Sequence, residues 1–181
     1  MEDKIQNIED EELFVKFRDL NDNQAFMLLY NRYSKKVMAY CLRACTDRDT
    51  AQDVFQKVFT SVVEKKHTFK GGSYIAWLMI ITRNFVLMQK RTNRHFDDVS
   101  TMDLPYESSS SIDFSYNELI HSEIEKLPDE FKEIIKLRYF DDFSYNEIAE
   151  ILNISISLVK VRLYRAKSLL STALKSLKET L

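Results

Sequence analysis

The chain has 181 residues, 45% hydrophobic and 30% charged, and its 26 basic and 28 acidic side chains leave a formal charge of −2, the profile of an ordinary globular protein with one domain or two small ones. No apolar run approaches the roughly 20 residues needed to span a bilayer, and the acidic N-terminus is unlike a signal peptide, so a cytoplasmic location is expected. Two glycines, two prolines and helical periodicity almost throughout predict a nearly all-α fold.

Leu13, Phe14 and Phe17 mark a short first helix behind the acidic stretch Glu9 to Glu12. Phe26, Tyr30, Tyr33, Val37, Tyr40, Cys41 and Ala44 keep the 3.6-residue period of a long second helix, from about Gln24 to Cys45. Cys41 and Cys45, four apart on that helix, read as packing residues in preference to a redox pair. The histidines His67, His95 and His121 are scattered without ligand spacing, so no metal or other cofactor is expected. Nor is there a grouping of nucleophile, base and orienting residue, which argues against an enzyme.

Asp49 and Gln52 suggest a capping box for a third helix. Its inward stripe is Ala51, Val54, Phe55, Val58, Phe59 and Val62, leaving Gln52, Asp53, Gln56 and Lys57 outside. The run Phe69-Lys70-Gly71-Gly72-Ser73-Tyr74 holds both glycines and marks a loop. In the fourth helix the spacing places Tyr74, Leu78, Ile81, Phe85 and Met88 inward, with Arg83, Lys90 and Arg94 opposite, Ile80 and Leu87 among them and Arg91 close by. Trp77 to Arg94 contains no acidic residue. A basic face interleaved with apolar groups beside a glycine loop suits single-stranded DNA, where cations follow phosphates and planar or apolar groups hold unstacked bases.

Charge is segregated: residues 1–96 carry 16 basic and 12 acidic side chains, 97–126 carry 1 and 8, and 127–181 carry 9 and 8. The middle strip, with Asp97-Asp98, Pro105 and a run of serines at 108–111, has the composition of a linker, with short helical content from Tyr116 to Lys126. Two small helical domains, 1–96 and 127–181, joined by a flexible acidic linker at 97–126, are therefore expected.

After the strip, Leu127-Pro128-Asp129-Glu130 opens a supporting helix with Phe131, Ile134 and Ile135 at helical spacing. Ser144-Tyr145-Asn146-Glu147 is a capping box, so a helix begins at Tyr145 and runs through Ile148, Ala149, Ile151 and Leu152 to Asn153. Ser155 caps the next helix. Two short-spaced helices across a three-residue turn form a helix-turn-helix. In the last helix Val159, Leu163, Ala166 and Leu170 face inward, while Ser157, Val161, Tyr164, Arg165 and Ser168 face outward, flanked by Lys160 and Arg162. From Ile156 to Lys178 there is no carboxylate, so this helix suits a DNA major groove.

Leu127-Pro128, Leu137-Arg138-Tyr139, the run Ser144 to Leu152, and Val159-Lys160-Val161-Arg162-Leu163 with Arg165-Ala166 resemble the C-terminal DNA-binding region 4 of extracytoplasmic-function sigma factors of bacterial RNA polymerase. Residues Ala25 to Arg94 are similar to region 2 of the same family, through Ala51, Asp53, Gln56, Val58 and Phe59, Trp77-Leu78, Arg83-Asn84 and Lys90 to Arg94. The resemblance implies a sigma factor that directs core RNA polymerase to promoters. It implies binding to the polymerase clamp helices through Asp53 and Gln56, and contact with the flap and with an anti-sigma factor. Upstream-element contacts are implied for Ser157, Lys160, Val161, Arg162, Tyr164 and Arg165. Minus-ten recognition and melting fall to Lys70, Tyr74, Trp77, Arg83, Asn84, Lys90, Arg91 and Arg94. The alternatives are a helix-turn-helix regulator of the response-regulator type, which requires an N-terminal receiver of alternating strands and helices, and a helical module that sequesters a partner without binding DNA.

Overall fold

The computed structural model describes residues 8–94 and 111–180, and among them it contains eight α-helices, a 3-10 turn, a π-helical turn and no strand. The chain divides into two compact units, Met1–Leu104 and Pro105–Leu181.

In the first unit, α1 (Asp10–Leu20) ends where Asn21 adopts the left-handed conformation at φ 53°, and the next residue, Asp22, caps α2 (Asn23–Ala44) by accepting the Gln24 and Ala25 N–H groups at 2.9 and 3.2 Å. The two helices thus turn back within two residues. The cap of α3 (Arg48–Glu64) is Asp47, not Asp49: its Oδ1 accepts the Thr50 N–H at 2.7 Å and its Oδ2 the Thr50 hydroxyl at 2.7 Å. Both aspartates are cap-type residues, and Thr50 three positions on decides for the earlier one, leaving Asp49 in the first turn, where a carboxylate favours the positive helix end. The 3-10 turn Lys66–Thr68 and the glycine loop lead into α4 (Tyr74–Arg94).

Leu13, Phe14, Leu29, Val37, Val54, Val58, Leu78 and Met79 are sealed at the centre of this unit. Burying a side chain such as Phe14 stabilises by roughly 1.5–3 kcal/mol. Helix α4 is rotated from the expected phase. Its buried stripe is Ile75, Met79, Thr82 and Val86 together with Tyr74, Ala76 and Leu78; Ile81 and Phe85 are half-buried, and Met88 is 52% exposed. The difference is about one residue's rotation, roughly 100°. It arises because α4 packs against α1, α2 and α3, so its apolar surface is wide and its sequence periodicity does not select one centre. The one hydroxyl in the stripe, Thr82 Oγ1, donates to the Leu78 carbonyl at 2.9 Å, which removes the cost of burying it.

In the second unit, α5 (Ser111–Glu125) occupies the C-terminal half of the expected linker and packs against α6 and α8. Leu119, Ile120 and Ile124 supply its apolar side, continued by Leu127 just past its end, and α5 takes in most of the short helical stretch expected from Tyr116 to Lys126. The remainder of the expected linker, 97–110, lies outside the described residues. Helix α6 (Asp129–Ile135) starts one residue after Pro128 and widens into the π-helical turn Lys136–Phe140, closed by the Asp141 N–H on the Lys136 carbonyl at 3.1 Å. Asp142, at φ 53°, then reverses the chain and returns Phe143 to the core. Helix α7 (Tyr145–Leu152) has the expected capping box, with Ser144 Oγ accepting the Glu147 N–H at 3.2 Å and Glu147 Oε2 accepting the Ser144 N–H at 2.8 Å. Asn153 leaves α7 at φ 52°, and Ser155 Oγ accepts the Leu158 N–H at 3.2 Å at the head of α8 (Ile156–Thr180). Val159, Leu163 and Ala166 of α8 are buried against this frame, while Leu170 is half-buried.

Asn153→Ala replaces a side chain whose short polar amide tolerates the left-handed region with one that does not, and should lower stability by about 1 kcal/mol, whereas Asn153→Gly, free of the β-carbon penalty, should not. Trp77, the chain's one tryptophan, lies in the first unit. If the two units fold independently, urea titration followed by circular dichroism will register the Asn153→Ala loss while the midpoint of Trp77 fluorescence stays in place; a matching shift of both signals would show that the units unfold together.

Candidate nucleic-acid interface

In the second unit, the apolar back of α8 fixes which side chains point outward. Ser157, Lys160 and Arg165 are exposed, Val161 is 43% exposed and Tyr164 75%. Arg162 departs from the expected set: its Nη2 lies 2.6 Å from Glu130 Oε2 on the supporting helix, and its side chain is only 24% exposed. A guanidinium held this way braces α8 on α6 and is a poor candidate for base contact. Ile156 and Leu158, 43% and 37% exposed beside the turn, add apolar surface that a search for basic residues overlooks. Lys167 stands 5.1 Å above the Tyr139 ring, and Arg138, which donates to the Phe143 carbonyl at 2.9 Å, stands 5.4 Å from the Tyr145 ring. Both cations stand near the start of α7, against aromatic faces.

In the first unit, Lys70, Gly71 and Gly72 are exposed, and the glycines take φ 111° and 92°. No atom lies within 4 Å of where a β-carbon would stand at either glycine, so backbone conformation and not space requires them. Tyr74, expected among the DNA contacts, does not present its side chain on the surface. It is fully buried, its ring 5.0 Å from Phe14 and 5.8 Å from Tyr33, and burial raises the pKa of its phenol. The first residue of α4 must close the core beneath the loop, which turns its side chain inward. Trp77 is half-buried, with its ring 5.2 Å from Phe14 and 5.5 Å from Phe69, leaving one part for a ligand.

Asn84, Lys90 and Arg91 are exposed and Arg83 is half-buried; the side chain of Arg94 lies outside the described residues. Because α4 is rotated, its outward centre is the stripe Trp77, Asn84, Met88 and Arg91, with Ile80 and Leu87 alongside and Arg83 and Lys90 on the flank. Met88, which periodicity assigns to the core, is thus the apolar group at the middle of the basic surface. On α3, Gln52, Asp53, Gln56 and Lys57 are exposed as expected, and Val63, 44% exposed, extends that face.

The cysteines are packing groups. Cys41 is sealed, and burial pushes its thiol up to about 12; burial likewise raises Cys45. Both are protonated at neutral pH and poor nucleophiles. Among the described residues no three histidine, cysteine or carboxylate side chains are placed to hold a metal ion, and no helix is long and apolar enough to cross a membrane. Nor do the described residues contain the strands that a receiver domain requires.

Comparison with known proteins agrees with both units. The family profile Sigma-70 region 2 matches residues 29–96, and Sigma-70, region 4 matches 117–170, which takes in the C-terminal part of α5. The chain is 32% identical over 150 residues to RNA polymerase sigma factor YlaC of Bacillus subtilis, covering 77% of this chain and 86% of that one. It is 29% identical over 172 residues to the ECF RNA polymerase sigma-E factor of Haemophilus influenzae, covering 86% and 90%. Among solved structures, CnrH in complex with the cytosolic domain of CnrY shares the fold at a TM-score of 0.69 and 20% identity, covering 93% of this chain and 99% of that one. The sigma factor RpoE in complex with the anti-sigma factor NepR from Bartonella quintana superposes at 0.66 with 25% identity, covering 83% and 96%. With two family segments in order and relatives matched over most of their length, the chain belongs to the sigma-70 family, in its extracytoplasmic-function group, and is a sigma factor that directs core RNA polymerase to promoters.

Proposed function

We propose that the two units divide promoter recognition between them. The outward face of α8, formed by Ser157, Lys160, Val161, Tyr164 and Arg165, reads an upstream duplex element in the major groove. The Lys70-Gly71-Gly72 turn receives a flipped base of the melted strand downstream, and Trp77, Asn84, Met88, Lys90 and Arg91 hold the strand beside it. The observation that most supports this division is that each helix commits its apolar side to its own core and presents an acid-free outer side, Trp77 to Arg94 on α4 and Ile156 to Lys178 on α8. Asp53 and Gln56 dock α3 on the polymerase clamp helices, and the second unit meets the flap. As in the RpoE–NepR complex, an anti-sigma factor is a partner. The protein performs no catalysis of its own and works in the cytoplasm. Two modest contacts held on one polymerase raise each other's effective concentration and select paired elements. Phosphate contacts make the affinity fall with salt.

Lys160→Ala or Arg165→Ala should weaken upstream-element binding by about 1–3 kcal/mol where the side chain reads a base, or reduce the salt slope by about 1 where it holds a phosphate. Arg162→Ala should alter DNA binding less than either, because Glu130 already engages that guanidinium; a salt titration of the three variants in gel shifts compares them. Unchanged binding by the Lys160 and Arg165 variants would remove α8 from this role.

Lys90→Glu with Arg91→Glu should abolish open-complex formation on duplex promoters while sparing polymerase binding, and a template with a pre-melted bubble should restore part of the activity. Permanganate reactivity of unpaired thymines reads the outcome. Normal opening by the doubly substituted protein would contradict the strand-holding role of α4.

A further inference from the structure

Helix α1 lies ahead of the segment matched by Sigma-70 region 2, yet it grips both ends of the loop between Phe69 and Tyr74. At the first end, Arg18 Nη1 donates to the Phe69 carbonyl at 3.0 Å, while its Nε and Nη2 are fixed on the two oxygens of Asp19 at 2.7 and 2.8 Å. At the second end, Glu11 Oε1 accepts the Tyr74 N–H at 3.0 Å. Tyr74 opens α4, and the N–H groups of a first turn have no partner within their own helix, so a carboxylate there both satisfies the donor and favours the positive helix end. Ser73 Oγ takes the Ala76 N–H at 3.3 Å and completes the cap. Beneath the loop, the Phe14 ring lies 4.9 Å from Phe69, 5.0 Å from Tyr74 and 5.2 Å from Trp77. Lys66, just upstream, stands over the Phe17 ring at 4.8 Å and bonds the Asn21 side chain.

Between these anchors the exposed residues are Lys70, Gly71 and Gly72, and no atom crowds either glycine. A glycine pair in open space has no preferred shape of its own. A loop that must meet a base in one shape binds less well for every other shape it populates, unless its ends are fixed. The ends are fixed by α1.

We propose that α1 is a positioning element for base capture, with Glu11 and Arg18 setting the shape of the Phe69–Tyr74 loop and thereby the base preference at the one promoter position the loop reads. Neither side chain touches DNA; both act through the loop backbone. The inference rests on the proposed role of the loop as the receiver of a flipped base.

The test uses holoenzyme reconstituted from core RNA polymerase and the full chain, selecting opened templates from a duplex pool in which both promoter blocks are varied. Gly71→Ala with Gly72→Ala, which disfavours the positive φ without steric clash, identifies the position the loop reads. Glu11→Ala and Arg18→Ala should each flatten the preference at that position by about fivefold, the factor corresponding to one lost cap, and leave the upstream block unchanged. Glu11→Gln, which keeps an acceptor for the Tyr74 N–H, should retain the preference. Simple loss of folding would lower the yield at every position alike. Wild-type preferences in both alanine variants would overturn the proposal, as would flattening by Glu11→Gln equal to that of Glu11→Ala. If the glycine variant changes no preference, the loop reads no base, and that result overturns the underlying reading together with this one.

Discussion

The constraint on which both proposed DNA-facing surfaces depend is rotational. A helix that buries one stripe has no freedom to turn, so the identity of its buried residues determines which others face outward. Val159, Leu163 and Ala166 hold α8 by its back, and Ile75, Met79, Thr82 and Val86 hold α4. With those stripes fixed, Lys160, Tyr164 and Arg165 on the one helix, and Asn84, Met88 and Arg91 on the other, have only one direction in which to project. The proposed recognition surfaces follow from the two cores, and apart from Trp77, which also packs on Phe14 and Phe69, the side chains assigned to them lie outside the buried stripes.

Charge follows the same logic on a larger scale. A chain of net charge −2 is a poor candidate for DNA binding by its total, but the total says nothing of distribution. The carboxylates of the second unit sit largely on the supporting elements, where Glu130 braces Arg162 and Glu125 engages Lys132 and Lys136. Glu125 is held below the usual carboxylate range by those lysines, against the opposing effect of partial burial. Acidic groups thereby serve as internal ties, while the stretch from Ile156 to Lys178 contains no carboxylate. In the first unit Asp10 has the same office, accepting from Arg32 at 2.6 Å and from the Tyr33 hydroxyl to pin the start of α1.

Local signals with a single chemical solution were legible in the sequence. The Ser144–Glu147 box, the left-handed Asn153 and the Ser155 cap each satisfy particular backbone groups, and each predicts its own geometry. The stripe of α8 was equally legible, because one amphipathic side leaves no ambiguity of phase. Helix α4 was legible only in its first turns, where Tyr74 and Leu78 are buried as their spacing implies, because apolar residues surround most of it and its rotation is decided by three neighbouring helices; hence Met88 went to the surface. The π-helical turn at Lys136–Phe140 depends on fitting Leu137 and Phe143 into one core across a reversal at Asp142, a long-range requirement with no local signature. The ties from α1 to the loop span 51 and 63 residues and were beyond any local reading.

The central claim, that one protein reads two promoter blocks simultaneously on a single polymerase, is tested most directly by the spacing between them. Holoenzyme reconstituted with this chain would transcribe a promoter series in which base pairs are inserted or removed between the blocks. Two-site recognition predicts a sharp optimum and near-complete loss when the spacer changes by about five base pairs, half a helical turn, which carries one block to the opposite face of the duplex. Transcription that persists undiminished across that series would contradict simultaneous recognition by the two units.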